Sequence, residues 1–419
     1  MEHGWGLSGI EVVVFSPGAI TTVVVCVRPL TGEPRGFWKS GPWPLQFGDR
    51  VASMKNRSEY FHHRANAVLY GSQESPRRWW AKPPEGALYR GLSVDAMEVL
   101  TPTDGVGGGL RGYLVLHLRL SNDVLRDVAS VASIGGATFA TDEGAIRELT
   151  YGVCELPVMD GDHAQRVFTI TYARFLQTEI SEPFDMRSDV PPRSRWLFAL
   201  AAATNLERFQ PDGDQELPPE TSLSASWRCM VLRDGAAFIG KAGRDYFLDD
   251  GSAEALVRTI YCDALVLGLM QVDSVTAIAD SLVDISGGRQ IGNDLRKAQF
   301  WLDEVRTHLW WEHITSHGAA NEILVAFQRQ RSSRELLEQV IDELNSRVNL
   351  YKMIQDDRTN LLLSVIAIVG LPFSVGIGLA QIVLEHGVAA GSMSFGVSGF
   401  LTAVVAGAAY LFMRTRGAR

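Results

Sequence analysis

Polar residues recur at helical spacing within an apolar stretch near the C-terminus. Residues 361–384 carry no charged side chain. An α-helix turns about 100° per residue, and on such a helix eight positions fall within one sector about 100° wide. Apart from one leucine their side chains are small or polar: Asn360, Ser364, Ala367, Leu371, Ser374, Gly378, Gln381 and Glu385. Hydroxyl, amide and carboxylate oxygens in such a line can take the place of water around a cation that moves past them.

A polar stripe on an apolar helix needs a partner, because polar side chains lose free energy in hydrocarbon and therefore face protein or water. Several copies of the helix in a ring would turn the stripe toward a shared conduit, with Leu371 as an apolar constriction that can close by dewetting. The alternative is tight packing of Ser and Gly between two helices of a dimer. Dimer packing accounts for the small residues but not for Asn360, Gln381 and Glu385.

Two adjacent carboxylates, Asp356 and Asp357, precede the apolar stretch by about one helical turn. In a ring of subunits they would draw cations toward the inner mouth of a conduit, because hard cations prefer oxygen ligands. The alternative interpretation is a solvated helix turn in which these carboxylates pair with Arg358.

The length of the apolar stretch predicts a membrane-spanning helix. A helix over 361–384 would be about 36 Å long, more than the roughly 30 Å hydrocarbon core of a bilayer. A second charge-free stretch, 393–413, follows a short linker, so we expect a C-terminal two-helix transmembrane hairpin and a multi-pass protein of the inner or plasma membrane. Lys and Arg flank the hairpin on both sides and are absent from the linker 385–392, which predicts that both termini are cytoplasmic.

The rest of the chain divides by the spacing of its apolar residues. In residues 1–251, short runs of Val, Ile, Thr and aromatic residues are bounded by Gly, Pro, Asn and Asp, which predicts a cytoplasmic α/β domain. From residue 252 the apolar spacing is helical, and 252–318 is expected to pack on a stalk. A long stalk helix is predicted over 319–360 and a basic cytoplasmic tail over 414–419.

Individual elements are predicted from the same patterns. The strands are 10–15, 20–27, 113–120, 167–174, 224–232 and 236–240. The helices before the stalk are 124–133, 195–205, 253–285 and 293–315. The helix over 253–285 contains Arg258, Asp263, Asp273 and Asp280, so we expect a buried helix of the soluble part and not a third membrane span.

The stalk carries apolar residues at alternating spacings of four and three, the pattern of a coiled-coil or bundle seam: Leu337, Ile341, Leu344, Val348, Tyr351 and Gln355. The seam either packs on its own domain or meets copies of itself around an axis. A continuous helix from Ala319 into the membrane is predicted, although the capping-box pattern of Ser332 and Glu335 allows a fresh start.

Composition and missing motifs exclude several functions. The formal net charge is −9, and no basic surface with interleaved aromatic residues is visible, so no nucleic-acid partner is expected. The 4 cysteines are scattered, which fits a reducing cytoplasm and argues against a zinc site or a disulfide framework. The chain lacks the Gly-x-Ser-x-Gly and His-Glu-x-x-His motifs. We therefore expect neither an enzyme nor a bound cofactor.

The C-terminal pattern resembles that of the CorA-type metal-ion transporters. In that family an α/β cytoplasmic domain is followed by long helices and two C-terminal spans, with both ends inside. The family often reads Leu-Thr, seven residues, Pro-Leu-Thr and then Gly. This chain has Leu363-Ser364, seven residues, Pro372-Phe373-Ser374 and then Gly378.

The resemblance implies a pentameric funnel in which the first span of each subunit lines a pore for metal cations, Mg²⁺ among them. It places Asn360, Leu363, Leu371, Ser374 and the region of Gln381 at the pore. The family's Gly-Met-Asn signature is absent, because residues 378–383 read Gly-Leu-Ala-Gln-Ile-Val. The predicted function is thus an oligomeric ion channel or transporter. The alternative is a membrane-anchored sensor or defence effector whose N-terminal domain binds a ligand or partner that controls membrane permeability.

Overall fold

The computed structural model of the protein describes most, but not all, of the chain. The described residues are 20–29, 35–36, 38–47, 50–72, 74–83, 85–89, 92–101, 111–120, 154–155, 166–175, 189–203, 211–214, 216–241, 251–285, 290–385 and 407. The backbone alone is described for 20–29, 35–36, 54, 89, 111, 154–155, 166–167, 175 and 241, and at scattered positions of 365–385.

Strands occupy the N-terminal half of the described chain. Their bounds are β1 Ile20–Pro29, β2 Arg35–Gly36, β3 Lys39–Ser40, β4 Leu45–Phe47, β5 Arg50–Ala52, β6 Arg78–Ala81, β7 Leu88–Tyr89, β8 Leu92–Leu100, β9 Arg111–Arg119, β10 Cys154–Glu155, β11 Arg166–Phe175, β12 Thr221–Ser222, β13 Trp227–Val231 and β14 Gly235–Lys241.

One large sheet combines most of these strands. Within the described residues it is a 10-stranded sheet in the order β12-β13-β14-β11-β1-β9-β8-β6-β3, with β7 beside β8. β1 is antiparallel to both of its neighbours, whereas β11 and β14 run parallel. The strands predicted over 20–27, 113–120, 167–174, 224–232 and 236–240 are confirmed as β1, β9, β11, β13 and β14. The predicted strand 10–15 and helix 124–133 lie outside the described residues.

Short helices lie between the strands in the chain, and the longer helices follow the last strand. Their bounds are α1 Met54–Tyr60, α2 His63–Tyr70, α3 Pro192–Ala202, α4 Ser252–Leu256, α5 Cys262–Asp284, α6 Ile291–His308, α7 Gly318–Gln330 and α8 Ser333–Glu385, with a π-helical turn, Val257–Tyr261, between α4 and α5. The mixed α/β content, with strands first and long helices later, is thereby confirmed.

The segment from α4 to α5 is a core helix, as predicted for 253–285. Among the residues that the structure describes, Ser252–Asp284 is the segment that is long and apolar enough to cross a membrane, and 94% of its apolar window is buried inside the protein. An apolar helical segment that is buried in this way is typical of the core of a large protein.

The long helix near the C-terminus begins later than predicted. α7 ends at Gln330 and α8 starts at Ser333, so the expectation of one continuous helix from Ala319 is wrong. Ser332 has φ of 46°, in the left-handed region that cannot continue a right-handed helix. The fresh start that Ser332 and Glu335 allow in the sequence is therefore the arrangement observed.

The chain forms two compact units, Met1–Ile341 and Asp342–Arg419. In the predicted seam of α8, Leu337 belongs to the first unit and is buried, while Gln355 belongs to the second unit and is exposed. The second predicted span, 393–413, lies outside the described residues except for position 407, so the two-helix hairpin stays a prediction.

Candidate functional site

The predicted pore stripe lies on α8, whose helical backbone runs from Ser333 to Glu385. Gly378 is half-buried, and the side chains of Leu371 and Glu385 are outside the described set. The other side chains of the stripe are exposed on the single chain: Asn360, Ser364, Ala367, Ser374 and Gln381. Leu363, which the resemblance places at the pore, is exposed as well.

The same part of α8 exposes large apolar side chains. The exposed fraction is 54% for Leu361, 61% for Leu362 and 64% for Ile366. Burial of one such side chain stabilises a structure by about 1.5–3 kcal/mol, so a helix that leaves several exposed is incomplete as a soluble element. A helix keeps its backbone hydrogen bonds internal, which suits this surface to contact with lipid or with other copies of itself.

The two carboxylates predicted at the inner mouth of a pore, Asp356 and Asp357, are exposed on α8. Across the described residues, which include both of them, no group of three or more His, Cys, Asp or Glu side chains lies close enough to hold a metal ion. In a single chain these carboxylates can thus attract a cation but cannot enclose one.

A second polar cluster is fully buried inside the first unit, in contrast to the exposed side chains of α8. Arg57, Arg78, Glu98 and Asp263 are each at most 1% exposed. They come from α1, β6, β8 and α5, and α5 is far from the other three elements in the chain. We call these four residues, together with Tyr70 and His117, the buried network.

Asp263 is the acceptor at one end of the buried network. The guanidinium of Arg57 donates to it from Nε at 3.0 Å and from Nη2 at 2.7 Å. Arg78 donates from Nη1, and the hydroxyl of Tyr70 donates at 2.6 Å. The single carboxylate of Asp263 therefore links α5 to α1, α2 and β6.

Glu98 is the acceptor at the other end. Arg78 donates to it twice, from Nε at 3.0 Å and from Nη2 at 2.7 Å. The backbone N–H of Trp43 donates at 2.7 Å, and Nε2 of His117 lies 2.8 Å from Oε2. Bidentate contacts between a guanidinium and a carboxylate are both strong and strict in geometry.

The register of the sheet explains why Arg78, Glu98 and His117 meet. Glu98 of β8 pairs with Trp80 of β6, and Ala96 pairs with His117 of β9. Side chains alternate between the two faces of a strand, so residues two apart share a face. Arg78 and His117 are therefore the diagonal neighbours of Glu98 on one face, within reach of long side chains.

Turn chemistry places the residues that precede β6. Gly71 ends α2 with φ of 74°, and a Cβ there would lie 2.3 Å from the carbonyl oxygen of Ser75. Only glycine fits this turn. It follows Tyr70 directly and leads the chain into β6, so it positions both Tyr70 and Arg78. Ser53 caps α1, where its hydroxyl accepts from the N–H of Asn56 at 3.4 Å.

The π-helical turn positions the charges contributed by the core helix. In an α-helix, residues five apart point about 140° away from each other, but a π-helical turn has i→i+5 hydrogen bonds and brings such residues to one side. Arg258 lies in this turn and bonds Asp95 at 2.8 Å, with its guanidinium 4.9 Å from the ring of Trp43. Five residues later, Asp263 reaches Arg57.

The charges of the buried network stabilise one another. Burial alone would raise the pKa of Glu98, but the guanidinium groups of Arg78 and Arg57 more than offset it, and the pKa lies well below its usual range. Burial alone would lower the pKa of Arg57, and the Asp263 carboxylate reverses this, so the pKa lies above its ordinary value. Both groups are charged at neutral pH.

The buried network is closed to ligands, and its charges balance. Two guanidinium groups face two carboxylates, and burial lowers the pKa of His117 despite its hydrogen bond to Glu98, so the imidazole is neutral at pH 7. With side chains at most 1% exposed, the network offers no surface to a substrate. It holds the sheet against α5.

The comparisons with known proteins give no family. No family model matches the chain, and no curated protein is significantly similar to it. The CorA-type resemblance therefore rests on the C-terminal pattern and on the order of the elements.

Sequence reasoning missed the buried network for an identifiable reason. Arg57, Arg78 and Glu98 stand in segments with no apolar alternation strong enough to predict their elements. The available signal was Asp263 in an otherwise apolar helix, because a carboxylate at such a position needs a cationic partner. That signal predicts the existence of a partner but not its position in the chain.

Proposed function

We propose that the protein is an oligomeric membrane ion channel or transporter for cations, in which α8 of each subunit lines a shared pore. The observation that carries the proposal is the surface of α8. A helix that exposes Leu361, Leu362 and Ile366 also carries Asn360, Ser364, Ser374 and Gln381 along one side. Lipid can cover the apolar side, and a ring of copies can cover the polar side.

The arrangement of charges supports cations as the transported ions. Asp356 and Asp357 stand about one turn before the apolar stretch, and in a ring of subunits their carboxylates repeat around the axis. Leu371 lies within the apolar stretch, at the level where a ring of leucines can close the pore by dewetting. The CorA-type resemblance supports five subunits and a divalent cation such as Mg²⁺, while the absence of Gly-Met-Asn makes a comparison of ions part of the test.

The experiment is cation flux through the full-length protein in liposomes. Vesicles loaded with a Mg²⁺-sensitive or a K⁺-sensitive dye are compared for the wild type, Leu371→Ala and Gln381→Ala. The matched control is Ile377→Ala, which lies on the apolar side of the same helix and is 54% exposed.

A change in flux in both stripe variants, with the control close to the wild type, is the expected result. Leu371→Ala should raise flux, because a smaller side chain widens the constriction. Absence of flux for every ion from a well-assembled wild-type oligomer would overturn the proposal. An equal effect of Ile377→Ala would remove the assignment of the stripe to the pore.

A further inference from the structure

His117 is the one member of the buried network whose ordinary pKa lies near physiological pH. Its side chain is 0% exposed. Nε2 lies 2.8 Å from Oε2 of Glu98 and serves as the donor, because Glu98 is charged. Nδ1 is then the unprotonated nitrogen, and it is buried with no hydrogen-bond partner among the described residues.

The surroundings of His117 oppose a second proton. The ring of Trp43 packs against the imidazole with centroids 4.7 Å apart. Arg57 of α1 and Arg258 of the π-helical turn act on the imidazole as like charges, and Glu98 of β8 is the opposing carboxylate. Beyond Glu98 lie Arg78 of β6, which bonds Glu98, and Asp263 of α5, which accepts from Arg57 and Arg78.

Protonation of Nδ1 would place a third positive charge beside two balanced ion pairs. The new N–H would have no acceptor in the described part of the chain, and an unpaired charge in a dry site is costly. The imidazole can accept the proton readily only if it leaves its site and gives up the hydrogen bond to Glu98. We propose that His117 is an acid sensor, and that its protonation opens the contact between the large sheet and α5.

The direction of the pH effect follows from proton linkage. Burial lowers the pKa of His117 below its ordinary value of about 6.5. The closed form therefore binds fewer protons than the open form, so the closed form is favoured above about pH 6.5 and loses stability as pH falls below it. The open fraction is expected to rise about fivefold over the first pH unit below 6.5 and to approach a tenfold rise per unit further down, until the pKa of the closed form is reached.

The test is amide hydrogen exchange of the full-length protein in detergent micelles at pH 7.5, 6.5 and 5.5, corrected for the intrinsic pH dependence of exchange. His117→Gln keeps an N–H donor near Glu98 but cannot titrate. His63→Gln, at an exposed position of α2, is the matched control. Protection of peptides from β9 and α5 should fall about fivefold from pH 6.5 to 5.5 in the wild type and in His63→Gln, and should stay nearly constant in His117→Gln.

Equal loss of protection in His117→Gln and in the wild type would overturn the proposal. Exchange of the imidazole C2 hydrogen in the wild type gives an independent result should His117→Gln fail to fold. The pH dependence of the C2 exchange rate should give a midpoint for His117 below about 6.5. As the pH is lowered, this rate and the amide protection should decrease over the same range. A midpoint at or above the ordinary value would also overturn it. Neither measurement depends on ion transport.

Discussion

Two regions of this molecule place polar groups among apolar ones and satisfy them in opposite ways. In the buried network, Glu98 and Asp263 accept hydrogen bonds from Arg57 and Arg78 of the same chain, at distances of 2.5–3.0 Å for the closest contacts. On α8, Asn360 and Gln381 are exposed, and so are the apolar side chains of Leu361, Leu362 and Ile377. The ion pairs of the buried network form within one chain, whereas in the proposed function the α8 surface is covered by lipid and by other copies of the chain. Removal of a polar side chain should therefore affect folding in the buried network, and assembly or transport on the α8 surface.

The largest expected effect is that of Asp263→Asn. The variant leaves Arg57 and Arg78 with an uncompensated positive charge, and breaking one side of a buried ion pair costs about 3–5 kcal/mol. Denaturant unfolding of the full-length protein measures the change in the free energy of unfolding. Asp280→Asn, an exposed position on the same helix, should change it by less than about 0.5 kcal/mol. Similar values for both variants would show that the buried network does not stabilise the fold.

A smaller effect is expected for Tyr70→Phe. The substitution removes one hydrogen bond to the Asp263 carboxylate, 2.6 Å long, and leaves the rest of the buried network in place. Hydrogen bonds to charged groups contribute about 1.5–3 kcal/mol. The same unfolding experiment should show a loss in that range, whereas Tyr60→Phe, at a half-buried position outside the buried network, should show less. A loss in Tyr70→Phe as large as that of Asp263→Asn would mean that the tyrosine does more than bond the carboxylate.

The smallest effect on stability should come from α8. Replacing Asp356 and Asp357 by Asn removes exposed charges, so the free energy of unfolding should stay within about 0.5 kcal/mol of the wild type. Cation flux in liposomes should fall several-fold, because the ring of carboxylates no longer concentrates cations at the inner mouth. Asp342→Asn, another exposed carboxylate on the same helix, should leave the flux unchanged. Unchanged flux in the double variant would separate these carboxylates from transport.

The two regions also differ in how far the sequence could predict them. Periodicity located β1, β9 and the core helix, because apolar alternation and helical spacing are local signals. The end of α7 near Ser332 was open to two interpretations, since a capping pattern competes with an uninterrupted helical run. The buried network joins Arg57 to Asp263, 206 positions apart, and such a pairing depends on sheet register and on the π-helical turn. No local pattern carries that information.

The most direct test of the account is the symmetry of the full-length protein purified in detergent, imaged as single particles. If α8 lines a shared pore, the particles should show rotational symmetry about an axis surrounded by copies of α8, with five subunits as the resemblance implies. Polar residues of the stripe, Ser364 and Ser374 among them, should face that axis. Monomers, or dimers with the stripe between two helices, would contradict the account.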